Sequence, residues 1–165
     1  PSLDDLKPIL TAAMRSPDYG KLEPWRFIIL QKAALLRLAN CASLRAIELD
    51  LPIEAQKKVD FFFRNPPLSV AVISSPKESE KIPELEQTLS AGAVCLALVN
   101  AALASDWGAS WLTGWTATDR PFLTNHLKLE KHEFVAGYIH IGSKSSHPPE
   151  RPRPDFKSIT NIVSD

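Results

Sequence analysis

The chain of 165 residues has little cysteine, little glycine and no excess of either charge, and each shortage narrows its chemistry. Its two cysteines, Cys41 and Cys95, lie in apolar, helix-like surroundings and read as reduced core thiols. None of its six glycines opens a Gly-x-Gly-x-x-Gly turn or a Gly-x-x-x-x-Gly-Lys-Ser/Thr loop, which argues against a Rossmann-type dinucleotide site and a P-loop. A Gly-x-Ser-x-Gly elbow, a His-Glu-x-x-His helix and paired-cysteine metal spacings are also missing. The four histidines, His126, His132, His140 and His147, are scattered and read as surface or core residues rather than ligands. Nineteen Lys and Arg balance nineteen Asp and Glu, so there is no electrostatic case for nucleic acid or an anionic membrane. No run of about 18 apolar residues is found, so no membrane span is expected. With no signal-peptide pattern either, the expected location is the cytoplasm.

What is abundant is apolar side chains, at 44%, and proline, at fourteen residues. The length suits one domain with a sizeable core. Ser2 followed by Asp4 and Asp5 marks a helix start, and Pro17 ends that helix near Arg15. A buried strand is expected over residues 25–30 and helices over 32–48 and from Pro52 to about Arg64. Pro66-Pro67 then stops the chain before a Val/Ile-rich strand over 68–74. The longest helix spans 83–107. It is almost wholly apolar from 89 to 104, which places it in the middle of the fold or at a dimer interface. A short strand over 108–116, a short helix over 119–127 and a strand over 134–141 complete the elements. The proline-rich, charged tail from Ser143 is expected to run extended over the surface.

The segment Arg15-Ser-Pro-Asp-Tyr-Gly-Lys-Leu-Glu-Pro-Trp-Arg-Phe27 concentrates the chemistry. Pro17, Gly20 and Pro24 forbid a helix, and in and beside them the segment carries cations, carboxylates and an aromatic ring. Such a loop between rigid elements is a common place for a ligand. Arg15 also suits a helix C-terminal cation, and Tyr19 and Lys21 also suit a solvated loop. Trp25 reads as a core anchor. With no catalytic side-chain motif in view, a cofactor is the expected carrier of any chemistry.

As a pattern this loop resembles the flavin-binding segment of the nitroreductase family. Gly108-Ala-Ser-Trp-Leu-Thr-Gly114 resembles the family's Gly-x-x-x-Trp-x-x-Gly segment, and Gly137-Tyr-Ile-His-Ile-Gly142 is similar to its late strand. Arg151-Pro-Arg-Pro154 looks like the C-terminal signature of a compact bacterial branch. The four segments occur in family order across nearly the whole chain.

The resemblance implies an α+β fold: a three-layer α/β/α sandwich around a mixed, mainly antiparallel sheet, in a single domain over residues 1–165. It implies a homodimer with FMN at the subunit interface, and electron transfer from NAD(P)H to nitroaromatic, quinone or similar small-molecule acceptors by a ping-pong route. Its implied cofactor contacts are Arg15, Tyr19, Lys21, Trp111, Leu112, Thr113, Arg151 and Arg153. Core packing remains open for Trp111, and a solvated tail for the two late arginines. No side chain is implied as an obligatory acid or base. Relatives often carry histidine at the position of Tyr19 and arginine at that of Leu112. They also carry an Arg-Arg-Ser phosphate segment ahead of the first helix; since the chain begins at Pro1, that segment is expected upstream. Two other readings stand beside this one: a flavin- or ligand-binding module of the same fold without efficient turnover, and a structural dimer module built on the apolar helix.

Overall fold

The computed structural model describes residues 1–146 and 148–164, so His147 lies outside the described residues. Helix α1 (Leu3–Ala13) starts in a full capping box: Ser2 Oγ accepts from the Asp5 amide, and the Asp5 carboxylate accepts from Ser2. Strand β1 (Trp25–Gln31) runs directly into α2 (Lys32–Glu48). After Pro52 comes α3 (Ile53–Arg64), then β2 (Leu68–Ser74), buried along its whole length. Helix α4 (Glu84–Ala104) leads into β3 (Gly108–Leu112).

A 3-10 turn at Trp115–Ala117 precedes the short α5 (Arg120–Phe122), which continues into a π-type turn at Leu123–Leu127. The expected single helix over 119–127 is thus divided, because the turn widens to bury Leu123 and Leu127 and closes on Lys128 in the left-handed region. Strand β4 (Phe134–Gly142) follows, and the tail holds one helical turn, α6 (Phe156–Ile159).

The fold is α+β. Its sheet has the order β1-β2-β4-β3, and each of the three pairings is antiparallel among the described residues. Alternation along β2 divides the core in two. Ala71 and Ile73 face the α2/α3 side with Leu35, Leu38, Phe63 and Tyr138. Val70 and Val72 face the α1/α4 side with Ile9, Val94, Leu98 and Ile139. The expected three layers follow from these two faces.

One expectation changes. Helix α4 is not buried all round by its own chain: Leu85, Leu89, Leu96 and Leu103 are exposed along one stripe. Its other side is core, with Val94, Cys95, Leu98 and Ala102 fully buried. By length and composition it is also apolar enough to cross a membrane, which the sequence reading did not anticipate.

An ion pair ties the strand ends together. Arg26 donates to both oxygens of the buried Glu133 carboxylate, each at 2.7 Å, and the Glu130 amide donates to the same carboxylate. Arg120 closes the corner by donating to the Glu133 and Glu130 carbonyls. The Arg26 guanidinium, acting against burial, holds the Glu133 carboxyl down at about 2.

Candidate functional site

The loop between α1 and β1 takes a backbone path that most residues avoid. Tyr19, Gly20, Lys21 and Glu23 all have positive φ, at 29°, 76°, 57° and 48°. Asp18 helps to close this turn by accepting the Glu23 amide at 3.0 Å. Ser90 of α4 pins it from below: its hydroxyl donates to the Pro17 carbonyl at 2.5 Å and accepts from the Trp25 indole at 3.1 Å. Trp25 is half-buried and packs on Phe27, which agrees with an anchoring role.

The loop's polar groups are turned outward. Arg15, Tyr19 and Lys21 are exposed, and none makes a side-chain hydrogen bond or ion pair among the described residues. Arg15 follows the C-terminal turn of α1, so interaction with the helix dipole and availability to a ligand are compatible there. A cavity of about 510 Å³ lies beside the loop, lined by Met14, Glu23, Trp25, Arg26 and Phe27 among others, but not by the three expected contacts.

The second segment is the end of the edge strand β3. Trp111 lays its indole over Gly137 and donates from Nε1 to the Ala136 carbonyl at 3.2 Å. A Cβ on Gly137 would overlap that indole, so the first glycine of the Gly137–Gly142 motif leaves room to seat the tryptophan. Packing and availability again coexist, since Trp111 remains 42% exposed. Leu112 and Thr113 are exposed beyond it. Gly114 has φ 136° and ψ −175°, a conformation essentially reserved for glycine, with open space where a side chain would stand. Outside the helices and strands, no backbone hydrogen bond is donated by Thr113 or Gly114 among the described residues. Both amides lie just past the end of β3, on exposed residues.

Helix α4 brings these two segments together. Ser90 holds the opening loop, while Gly92 and Cys95 approach the Trp111 indole. At about 1.5 Å of rise per residue, the two attachments lie within about 8 Å along the helix axis. Leu89 and Leu96 of the exposed stripe flank them. Sequence reasoning missed Ser90, because a serine in an alanine-rich helix carries no spacing signal.

Arg151 and Arg153 are not brought to this place. Both are exposed on the tail, where Arg153 pairs with Glu150 and donates to the Arg151 carbonyl. The cysteines are free, and burial pushes the Cys95 thiol up to about 12, so it is not a thiolate at neutral pH. Among the described residues no group of His, Cys, Asp and Glu is arranged to hold a metal ion.

The family model described as "Nitroreductase family" matches residues 1–143. The chain belongs to the nitroreductase family. It is 27% identical to "Putative NAD(P)H nitroreductase YdjA" of Escherichia coli (strain K12), over 98% of this chain and 82% of that protein. A similarly named Haemophilus influenzae protein is 33% identical over 69% of this chain and 62% of its own length. The fold is also that of a nitroreductase-like family protein from Bacillus cereus, with TM-score 0.80 and 18% identity over 99% of this chain and 86% of that one. A nitroreductase with bound FMN from Bacteroides fragilis superimposes with TM-score 0.75 and 19% identity, covering 99% and 89%.

Proposed function

We propose that this nitroreductase-family chain is an FMN-dependent oxidoreductase that moves electrons from NAD(P)H to nitroaromatic, quinone or similar acceptors by a ping-pong route. The observation that carries the reading is the meeting of two ligand-ready segments on α4. The bound FMN in the Bacteroides fragilis structure and the NAD(P)H nitroreductase names of the relatives support it. So does the absence of a dinucleotide fingerprint, because donor and acceptor then take turns at one flavin face.

The residues present fit such a group. A flavin needs cations at its phosphate, donors at its polar ring edge and flat apolar contacts on a face. Among the described residues Arg15 and Lys21 have no side-chain partner, Thr113 and Gly114 would present amides, and Trp111 offers a partly exposed aromatic surface. When bound, FMN supplies the redox chemistry, accepting two electrons with a hydride and giving two to the acceptor. Arg15, exposed and without a side-chain partner among the described residues, would be free to face negative charge at the ring edge. Tyr19 holds a hydroxyl at the loop crest in place of an imidazole. Arg151 and Arg153 would hold the phosphate only with the tail brought to the site and Arg153 released from Glu150.

In the same reading a second copy covers the stripe through Leu89 and Leu96. The site adjoins that stripe and so becomes an interface site, with FMN held between the two copies.

Titration of the protein with FMN, followed by flavin fluorescence, tests the proposal. Saturable binding is expected, with Arg15→Ala weakening it by about tenfold or more, the size of one charge-assisted contact. Failure to reach saturable binding would overturn the reading. Tight binding without NAD(P)H oxidation would favour the turnover-deficient module.

A further inference from the structure

The face of the sheet opposite α4 carries a cavity that shares only Leu112, Thr113 and Gly114 with the flavin reading. Between α3 and the end of β3 lie two adjoining hollows of about 560 and 200 Å³, both lined by Lys58, Phe62 and Thr113. The larger falls within the range of small-molecule sites. Phe61, Pro67 and Leu112 wall it, and His140 lies beneath. The smaller is lined mainly by Ala55, Val59, Phe62 and Trp115, with Thr116 and Thr113 as hydroxyl-bearing neighbours.

The charge distribution there is one-sided. Lys58 is the only formally charged residue lining either hollow, and no carboxylate lines them among the described residues. The neighbouring Lys57 pairs with Glu54, whereas Lys58 makes no ion pair among the described residues. His140 adds no charge: burial pushes it down to about 4, with the Phe62 backbone acting in the other direction. Its Nδ1 lies 2.9 Å from Ser69 Oγ, and Phe62 covers the ring edge-on. One exposed cation thus stands over an aromatic slot without a built-in partner.

We propose that this double hollow binds a small aromatic acid, the ring lodged between Phe62 and Trp115 and the carboxylate facing Lys58 and the Thr113 hydroxyl. A single lysine matches one negative charge. A phosphate dianion calls for the arginine forks or clustered amides that this cavity lacks. The slot's small inner volume selects one or two fused rings.

The test uses the full chain with 1-naphthoate and, as the uncharged comparator, its methyl ester, followed by NMR of the Trp115 indole and by calorimetry. Naphthoate accepts no electrons, so the result does not depend on flavin turnover. The acid is expected to bind more tightly than the ester and to shift the Trp115 signal. Lys58→Gln is expected to weaken the acid about three- to fivefold, the size of one partly screened ion pair, and to leave the ester unchanged. Lys57→Gln, outside the cavity, is expected to leave both unchanged. Equal binding of acid and ester, an unaffected Lys58→Gln variant, signals that move elsewhere, or a cavity closed to both ligands by a second copy would each overturn the proposal.

Discussion

Two residues show how much of this molecule rests on single contacts. Gly137 has no side chain because the Trp111 indole occupies that place. Gly137→Ala is expected to cost about 1–3 kcal/mol in urea unfolding and to lower flavin affinity in parallel, since the displaced indole belongs to the proposed site. Glu133 is buried with its charge bound by Arg26, and its carboxyl drops from an ordinary 4.5 to about 2. Between those values the unfolded chain binds more protons than the folded one. This group's stabilisation is therefore full above pH 4.5 and is lost as pH falls toward 2. Glu133→Gln is expected to cost about 2 kcal/mol at neutral pH and to flatten the stability curve in that window, as measured by urea unfolding across pH. The partial exposure of Arg26 keeps this below the cost of breaking a fully buried pair.

At the scale of elements, α4 carries the central argument. Its inner face is core, its middle seats the opening loop and Trp111, and its outer stripe is apolar and exposed. Leu96→Glu changes an exposed side chain, so the fold is expected to survive. Sedimentation is expected to show a loss of self-association, with flavin binding weakened alongside. A Leu96→Glu protein that remains dimeric would remove the stripe from the interface.

Elements bounded by proline were legible in the sequence. Strand β2 was read with its observed ends because Pro66-Pro67 cannot continue a helix and the run that follows is rich in Val and Ile, as in a fully buried strand. Helix α2 was read to its observed limits by its leucine spacing. The π-type turn after α5 was not legible, since a wider helical ring depends on which side chains the surrounding core accepts. The exposed stripe of α4 was hidden for a related reason: an all-apolar pattern does not say which side lacks a neighbour.

For the whole molecule, legibility divides between local and assembled features. The opening loop could be named because turn residues, charges and an aromatic ring are concentrated in it, and residues 108–114 because they resemble a family segment. Their shared seat on α4 could not, because Ser90 and Gly92 are distant in sequence from the groups they hold. The Lys58 cavity is likewise made by α3 and β3, which the sequence separates by about 50 residues. The pairing of Arg153 with Glu150 could be read from its spacing only once the tail's path was known.

The central claim is that this fold carries electrons through FMN. It is tested most directly by mixing the FMN-loaded protein anaerobically with NADH or NADPH and following the visible flavin absorbance. The account expects the yellow colour to bleach with at least one nucleotide and to return when a nitroaromatic or a quinone is added. Colour that persists with both nucleotides in a fully loaded protein would contradict it.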